Sequence, residues 1–198
     1  MARPREFDEI DALSAVEEQF WNAGYAATSM ADLMRASGLG KGSLYAAFGD
    51  KRQLFLKVLH RYIANQHEHL RDALGRAPRA IDGLRTLFDI PLDEASDSGA
   101  RRGCLLANST CELSMSDGDV LAMAHQAYET TTELIAECVS QARDEGDLSA
   151  ETDTTALARS LLTAQQGMLF MSRTGMSSTE LEATARALEA QLLPNSPA

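Results

Sequence analysis

The sequence predicts an all-α protein in two parts. Apolar residues recur every three or four positions along most of its 198 residues, which is the spacing of one buried helix face. No segment alternates apolar and polar residues as a half-buried strand does, and no internal repeat is visible. The composition, 44% hydrophobic and 24% charged, is that of a globular protein with a substantial core. No stretch approaches the ~20 apolar residues that span a bilayer, so no membrane partner is expected.

Breaks in this periodicity and capping residues predict where the helices lie. The first runs over 7–23, with Leu13, Val16 and Phe20 on one face and Gly24 at its end. Further helices are predicted within 28–48 and at 50–74, 78–90, 102–115, 118–145, 152–173 and 177–193, with an acidic loop at 91–101.

Residues 28–51, TSMADLMRASGLGKGSLYAAFGDK, predict two short helices joined by a tight turn. Thr28 is a suitable N-cap for the first of them. Gly38 and Gly40 allow the backbone of the turn to adopt positive φ. Two short helices around such a turn are typical of a DNA-binding helix-turn-helix. A tight helical hairpin with a solvated face is the alternative.

The second short helix, 41–48, is expected to bury Leu44 and Phe48 and to turn its small and polar residues outward. Gly49 ends it, and Asp50 caps the next helix. Lysine, serine and tyrosine on such a face can reach phosphates and base edges, and helix N-termini attract phosphate. Two arginines near the N-terminus could enter a minor groove, although a loose terminus is the alternative. The predicted DNA-binding residues are Arg3, Arg5, Thr28, Ser29, Lys41, Gly42, Ser43, Tyr45, Ala47 and Lys51.

Charge is distributed unevenly along the chain. The net charge is −11, from 18 basic and 29 acidic residues, but residues 1–61 contain eight of each. The acidic excess therefore lies wholly in 62–198. A neutral N-terminal part predicts modest non-specific DNA affinity and reliance on base contacts and two-fold symmetry. It is also the one feature that favours a protein that binds partners or ligands but not DNA.

The segment 28–51 resembles the helix-turn-helix of the TetR/AcrR family of transcriptional regulators. The resemblance covers about residues 5–60 and is carried by T-S-M, A-S-G-L, K-G-S-L-Y-A-A-F and G-D-K. It implies a DNA-binding domain at 1–50 and a ligand-binding and dimerisation domain at 51–198, linked by the helix at 50–74. It further implies a repressor that binds a palindromic double-stranded operator as a dimer and is released by a small-molecule inducer.

The last two helices, within 152–193, are predicted to form a homodimer interface. Pairs of such helices from two subunits can build a four-helix bundle. An internal core is the alternative, because spacing does not distinguish the two. The apolar residues on which this prediction depends are Leu157, Leu161, Ala164, Met168, Met171, Leu181, Leu188 and Leu192.

The second part is also expected to hold a ligand pocket. Its helices supply apolar, soft and polar side chains, which suits a medium-sized apolar ligand with a few polar anchors. For each residue alone, ordinary core packing is the alternative. The predicted lining is Phe88, Cys104, Asn108, Cys111, Met123, Tyr128, Gln165 and Met168.

Cys104 supports a second hypothesis, a thiol switch. It follows Arg101 and Arg102 at a predicted helix start, and both features favour the reactive thiolate. The segment R-G-C-L-L-A-N also resembles family members that sense electrophiles or oxidants through a cysteine. Cys111 lies about 10 Å further along the same helix, too far for an unstrained disulfide. Three cysteines and no secretion signal favour a reducing cytoplasm.

Neither a metal site nor an enzyme is predicted. The four histidines and three cysteines have no spacing that matches a zinc site, and the eight methionines fit core positions. No phosphate-binding glycine loop, H-E-x-x-H or G-x-S-x-G motif occurs. We therefore assign no catalytic residue and no cofactor.

Overall fold

A computed structural model describes residues 9–92, 101–113 and 116–193. These residues form α-helices joined by turns, and no strand occurs among them, which confirms the all-α prediction. One 3₁₀ turn, Thr86–Phe88, follows the fifth helix. The helices are α1 Glu9–Ala23, α2 Met30–Ser37, α3 Lys41–Phe48, α4 Lys51–Arg76, α5 Ala80–Arg85, α6 Leu105–Leu113, α7 Gly118–Asp144, α8 Thr154–Arg173 and α9 Ser178–Leu192.

Two helices differ from their predicted ranges by more than two residues at one end. The helix expected at 78–90 begins at Ala80, after an extended Arg79, and its α-helical part ends at Arg85. The helix expected from residue 102 begins at Leu105 instead, because Gly103 has φ +65°, which no α-helix contains. Most of the loop expected at 91–101 lies outside the described residues, but residues 91 and 92 are helical, so the prediction of a loop was wrong there.

The N-terminal core joins α1–α4 with α6 and the start of α7. Phe20, Leu33, Leu44 and Phe55 are all at most 1% exposed. The rings of Phe20 and Phe55 meet edge to face, with centroids 4.9 Å apart. Leu105 at the start of α6 is buried in the same cluster. Helices α6 and α7 of the C-terminal part thus pack in the same core as the helix-turn-helix.

Helix α4 connects two hydrophobic clusters. Its residues 54–62 pack in the N-terminal cluster, whereas Leu70 and Leu74 pack in a second cluster with α5, α7, α8 and α9. The predicted domain boundary between residues 50 and 51 stays a prediction, and apolar packing continues across it. Gly83 allows α5 to approach α4 closely, since an added Cβ would lie 2.5 Å from the Leu74 carbonyl oxygen.

The second cluster corrects the predicted orientation of α8 and α9. Leu161, Met168 and Leu181 are buried inside the subunit, and only Met171 of the residues predicted for the dimer interface is exposed. The long apolar side chains fill the subunit's own core because that core lies between α7 and α9. Leu157, Ala164, Leu188 and Leu192 are partly buried against the same cluster.

The outward faces of α8 and α9, which we call the α8–α9 face, carry small residues and two large apolar ones. Phe170 is 61% exposed and Met171 41% exposed at the end of α8. The exposed small residues are Ala156, Ser160, Thr163 and Gly167 on α8, and Ala183, Ala187 and Ala190 on α9.

Candidate nucleic-acid interface and ligand cavity

A capping box fixes the start of α2. The Ser29 hydroxyl accepts a hydrogen bond from the Asp32 amide, and the Asp32 carboxylate accepts one from the Ser29 amide at 2.9 Å. The predicted N-cap, Thr28, was therefore wrong by one residue. Thr28 is buried, and its hydroxyl donates to the Gly24 carbonyl at 2.7 Å. The Thr28 side chain is therefore buried, whereas the neighbouring Ser29 is exposed to solvent.

The turn between α2 and α3 depends on one glycine in the left-handed region. Gly38 has φ +68°, as predicted. Gly40 has φ −68°, so its predicted positive φ was wrong, and it is instead the N-cap of α3. No side chain caps α3, which leaves its first amides available to an anion. Gly49, at φ +81°, ends the helix.

The exposed face of α3 is the predicted recognition surface. Lys41, Gly42, Ser43 and Tyr45 are exposed. Ala47 is half-buried, and its carbonyl accepts a hydrogen bond from the Lys57 ammonium at 3.2 Å.

Ala46 is exposed as well, although the sequence prediction omitted it. The signal was available, since Ala46 lies two residues from both Leu44 and Phe48 and hence opposite the buried side. The buried pair fixes which side of α3 faces out.

Lys51 flanks α3 at the start of α4. Its ammonium lies 4.2 Å from the ring centroid of Tyr25, a cation–π contact that holds the charge near the helix N-terminus. Asp50 caps that terminus through a capping box with Gln53, as predicted. Ser29 is exposed at the start of α2, while Arg3 and Arg5 lie outside the described residues. The DNA contacts of all these residues remain predictions.

A carboxylate from α6 holds the turn that precedes α2. The two oxygens of Glu112 accept hydrogen bonds from the Tyr25 and Ala26 amides, at 2.9 and 2.6 Å. Gly24 has φ +82°, and a Cβ there would lie 3.0 Å from the Glu112 carboxylate. We call this contact the Glu112 clamp. Sequence reasoning missed it, because nothing local marks a contact 87 residues away in the chain.

A second link joins the start of α4 to the start of α7. The Arg52 guanidinium bonds both oxygens of Asp117, at 2.7 and 2.8 Å, and one oxygen of Asp119 at 2.6 Å. Bidentate pairing fixes the orientation of both partners. The hydrogen bond from Arg52 holds the pKa of Asp117 below its usual value.

This pair predicts a pH dependence of stability. A carboxyl whose pKa is lowered by folding stabilises the protein above its unfolded-state pKa, and that stabilisation is lost as the pH falls through the folded pKa. Asp117→Asn is therefore expected to lower the free energy of unfolding at pH 7 and to reduce its fall below about pH 4. Urea titrations from pH 7 to 3 measure both. An unchanged acid slope would contradict the assignment. Glu182→Gln, at an exposed i,i+4 pair, is the control.

A third contact joins α1 to the residue before Cys104. The indole Nε1 of Trp21 donates to the Gly103 carbonyl at 2.9 Å. The Arg102 guanidinium lies 4.2 Å from the Trp21 ring centroid and pairs with Glu18. Helix α6 is thus attached to the DNA-binding part near both of its ends. Arg102 and Gly103 contact α1 just before the helix begins, and Glu112 contacts the turn before α2 near its end.

A cavity of about 340 Å³ lies behind this segment, between α4, α6, α7 and α8. Its volume is at the lower end of the range for small-molecule sites. The Cys104 sulfur lines it, accepting from the Tyr62 hydroxyl at 3.6 Å and from the Ala107 amide at 3.5 Å. Burial, and next the neighbouring Cys104, raise the pKa of Tyr128.

Three of the predicted ligand-binding residues, Cys104, Tyr128 and Gln165, line this cavity. Gln165 donates from its amide to the Leu87 carbonyl at 3.2 Å. The other five lie elsewhere. Phe88 and Met168 are buried in the second cluster, and Met123 packs on the N-terminal cluster. Asn108 forms hydrogen bonds with Arg102 and Arg173, and Cys111 is exposed. Their ligand role stays a prediction.

The sequence prediction missed the wall that α4 contributes and further residues of α6, α7 and α8. His67 and Leu70 of α4 line the cavity, and so does Gln166 of α8. The i, i+3 spacing of the α4 pair was a usable signal, but α4 had been treated only as a link. Within the described part of the chain, no three His, Cys, Asp or Glu side chains are close enough to hold a metal ion. No described helix is long and apolar enough to cross a membrane.

Comparison with known proteins agrees with this geometry. Residues 12–58 match the family model for bacterial regulatory proteins of the tetR family. Residues 80–188, more than half of the chain, match the model for the tetracyclin repressor-like C-terminal domain. The chain belongs to the TetR family. It is a DNA-binding transcriptional regulator, and the TetR family is a family of transcriptional regulators.

Individual known proteins are similar along nearly the whole chain. The HTH-type transcriptional repressor ComR of Escherichia coli K12 is 35% identical, over 90% of this chain and 86% of ComR. A cysteine mutant of the regulator CifR, solved with 26bp double-strand operator DNA, is 30% identical with a TM-score of 0.83, over 95% and 99% of the two chains. Reduced E. coli NemR, 19% identical over 96% and 97%, shares the fold with a TM-score of 0.85.

Proposed function

We propose that the protein is a repressor that binds a palindromic operator as a homodimer. A small-molecule inducer, bound in the cavity between α4, α6, α7 and α8, releases it from the DNA. One observation carries this proposal: the helix that lines the cavity also holds the helix-turn-helix. Leu106 of α6 lines the cavity, and Glu112 of the same helix clamps the turn before α2.

The exposed face of α3 supports the DNA-binding half of the proposal. Lys41, Ser43 and Tyr45 are exposed there. We propose that Lys41 contacts a phosphate and that Ser43 and Tyr45 contact phosphate or base edges. The uncapped N-terminus of α3 adds backbone donors for a phosphate. Such a regulator acts where the DNA is, and we infer the cytoplasm.

The α8–α9 face supports the dimer. Small residues let helices from two subunits approach closely, and Phe170 and Met171 would lose their contact with water on association. A two-fold dimer presents two α3 helices about 34–36 Å apart, the spacing of successive major grooves. The proposed interface consists of the exposed faces of the helices within 152–193. Leu161 and Leu181, which are buried in the subunit's own core, are not part of it.

The mechanism follows from which helices surround the cavity. A ligand there contacts α4 and α6, and both helices are fixed to the DNA-binding helices. Helix α4 is fixed through the Phe20–Phe55 ring contact and the hydrogen bond from Lys57 to the Ala47 carbonyl, and α6 is fixed through the Glu112 clamp. Ligand binding is proposed to shift α4 and α6, so that the two α3 helices of the dimer no longer match successive grooves. Couplings of this kind amount to ~1–3 kcal/mol.

Glu112→Ala is expected to weaken this coupling. The variant loses two hydrogen bonds to exposed amides, which water can replace, so stability should fall by only about 1 kcal/mol. The fold-change in operator affinity caused by a releasing compound is expected to shrink by about fivefold or more. Fluorescence anisotropy with and without the compound measures it. Wild-type coupling in Glu112→Ala would contradict the role of the clamp, and Glu189→Ala on α9 is the control.

Selection of bound fragments from genomic DNA tests the proposed function directly. The wild-type protein is expected to enrich fragments with two symmetric half-sites, and Lys41→Ala is expected to bind them more weakly and with a salt slope lower by about one. Compounds that release the selected fragment then identify inducers. If no fragment with two symmetric half-sites is enriched, the proposed binding of a palindromic operator by a dimer is wrong.

A thiol switch is the second candidate function, favoured by the position of Cys104. Its sulfur lines the cavity and lies at the N-terminus of α6, where an added group would displace the Tyr62 and Ala107 contacts. Cys104→Ser distinguishes the triggers. Loss of release by oxidants with intact release by small molecules would assign the switch to Cys104. Unchanged release by oxidants would exclude it.

A further inference from the structure

We infer that Tyr62 of α4 is the residue through which an occupant of the cavity acts on the DNA-binding part. The Tyr62 side chain lines the cavity, where its hydroxyl contacts Cys104, and its ring packs on Trp21 of α1. This role rests on the proposed function, because it names one residue on the route from the ligand to the DNA. It also predicts a signal at Trp21 that is measurable without DNA.

The hydroxyl of Tyr62 is held at the start of α6. It donates to the Cys104 sulfur at 3.6 Å and accepts a hydrogen bond from the Leu105 amide at 3.3 Å. Tyr62 and Cys104 both line the cavity. A ligand that takes the space beside Cys104, or a group added to its sulfur, therefore competes with the Tyr62 hydroxyl for that space. Because buried hydroxyls keep a hydrogen-bond partner, the displaced hydroxyl moves with its ring rather than staying in place without one.

The ring of Tyr62 contacts the DNA-binding part at Trp21. The two ring centroids lie 5.2 Å apart with an angle of 80° between the planes, which is an edge-to-face contact. Tyr62 is only 5% exposed, so its ring is enclosed by other side chains. Close-packed interiors transmit strain, and a displaced Tyr62 ring consequently displaces Trp21.

Trp21 is connected to the recognition helix through the N-terminal core. It follows Phe20, which is buried in one cluster with Leu33 of α2 and Leu44 of α3. A displacement of Trp21 therefore moves α1 against these helices. The route runs from the cavity through Tyr62 and Trp21 to α3.

The backbone before Cys104 offers a competing route. Trp21 donates from its indole Nε1 to the Gly103 carbonyl at 2.9 Å, and the Arg102 guanidinium lies 4.2 Å from its ring centroid. Both residues directly precede Cys104, so a change at the cysteine could reach Trp21 without Tyr62. The test has to separate the Tyr62 hydroxyl from this backbone.

Cys104→Met places an occupant beside Tyr62. The longer methionine side chain takes up the space between the cysteine sulfur and the Tyr62 hydroxyl. Trp21 is the one tryptophan of the chain, so intrinsic tryptophan fluorescence of the full chain reports on this contact alone. We expect the emission maximum of Cys104→Met to shift from that of the wild type. Cys138→Met is the matched control and should leave the emission unchanged, because Cys138 is buried in the second cluster.

Tyr62→Phe then tests whether the hydroxyl carries the effect. It keeps the ring on Trp21 and leaves room for the longer side chain at position 104. Combined with Cys104→Met, it is expected to abolish the emission shift. It should also restore operator affinity, which we expect Cys104→Met alone to lower by about fivefold or more. Such non-additivity is typical of residues in contact.

Other results overturn the inference. Unchanged emission in Cys104→Met would show that an occupant at this position does not reach Trp21. A shift that persists with Tyr62→Phe would assign the route to the Gly103 backbone. A shift with wild-type operator affinity would break the link from Trp21 to α3. If the wild type binds no operator, the proposed function fails, while the emission results still decide whether Tyr62 links the cavity to Trp21.

A chemical modification keeps the test decisive if Cys104→Met does not fold, which thermal unfolding shows. Methyl methanethiosulfonate is then added to the folded protein with Cys111 and Cys138 replaced by serine. The Cys104 thiol displaces methanesulfinic acid from the reagent and forms a disulfide with its methylthio group, which has nearly the shape of the methionine side chain. The same emission shift, and its loss in Tyr62→Phe, are expected, and the same contrary results apply.

Discussion

Tyr45→Ala is expected to weaken operator binding by about 5- to 150-fold, or ~1–3 kcal/mol, if Tyr45 contacts a base edge. Tyr45 is 41% exposed on α3 and lies outside both hydrophobic clusters, so its removal should leave the fold intact. Fluorescence anisotropy on the selected fragment measures the affinity, and thermal unfolding checks the fold.

Two controls separate the contributions to this effect. Tyr45→Phe keeps the ring and removes the hydroxyl, so it isolates the hydrogen bond to DNA. Arg186→Ala removes an exposed charge on α9, far along the chain from α3, and should leave operator affinity within about twofold. Wild-type affinity in Tyr45→Ala would show that the exposed face of α3 does not read the operator.

Phe170→Glu is expected to dissociate the dimer and to lower operator affinity by about 10²- to 10⁴-fold. The first effect follows because Phe170 is 61% exposed in the subunit and would be buried on the α8–α9 face of a dimer, where an unpaired carboxylate is costly. The second follows because two linked half-site contacts gain affinity of this order from effective concentration. Sedimentation velocity and anisotropy measure the two effects.

Ile10→Glu is the matched control for sedimentation. Ile10 is 64% exposed on α1, so the same kind of substitution there should leave the oligomeric state unchanged. A Phe170→Glu protein that still sediments as a dimer would place the interface elsewhere on the subunit.

The parts of this structure that the sequence predicts are those encoded by neighbouring residues. Gly38 and Gly49 mark the turn and the end of α3, and Asp50 with Gln53 marks the start of α4. The error at Thr28 arose because two adjacent hydroxyl residues both suit an N-cap. Asp32, three residues after Ser29, distinguishes them, since it completes the capping box only with Ser29.

Contacts between distant segments could not be predicted. The Glu112 clamp joins residues 86 and 87 positions apart, and no local pattern encodes it. The faces of α8 were also ambiguous, because helical spacing shows that Leu161 and Met168 share a side but not whether a subunit or a partner covers it.

The distance between the two α3 helices of the dimer tests the central claim that ligand binding changes the shape of the dimer. Asn22→Cys, exposed on α1 and not among the predicted DNA-binding residues, can be spin-labelled after Cys104, Cys111 and Cys138 are replaced by serine. Pulsed electron–electron double resonance is then recorded on the operator complex and after release by a compound from the fragment assay. The label reports the separation of the two DNA-binding parts, and we predict one distance on DNA, where the α3 helices are held about 34–36 Å apart, and a shift of several ångströms on release. Identical distance distributions in the two states would contradict the proposed mechanism.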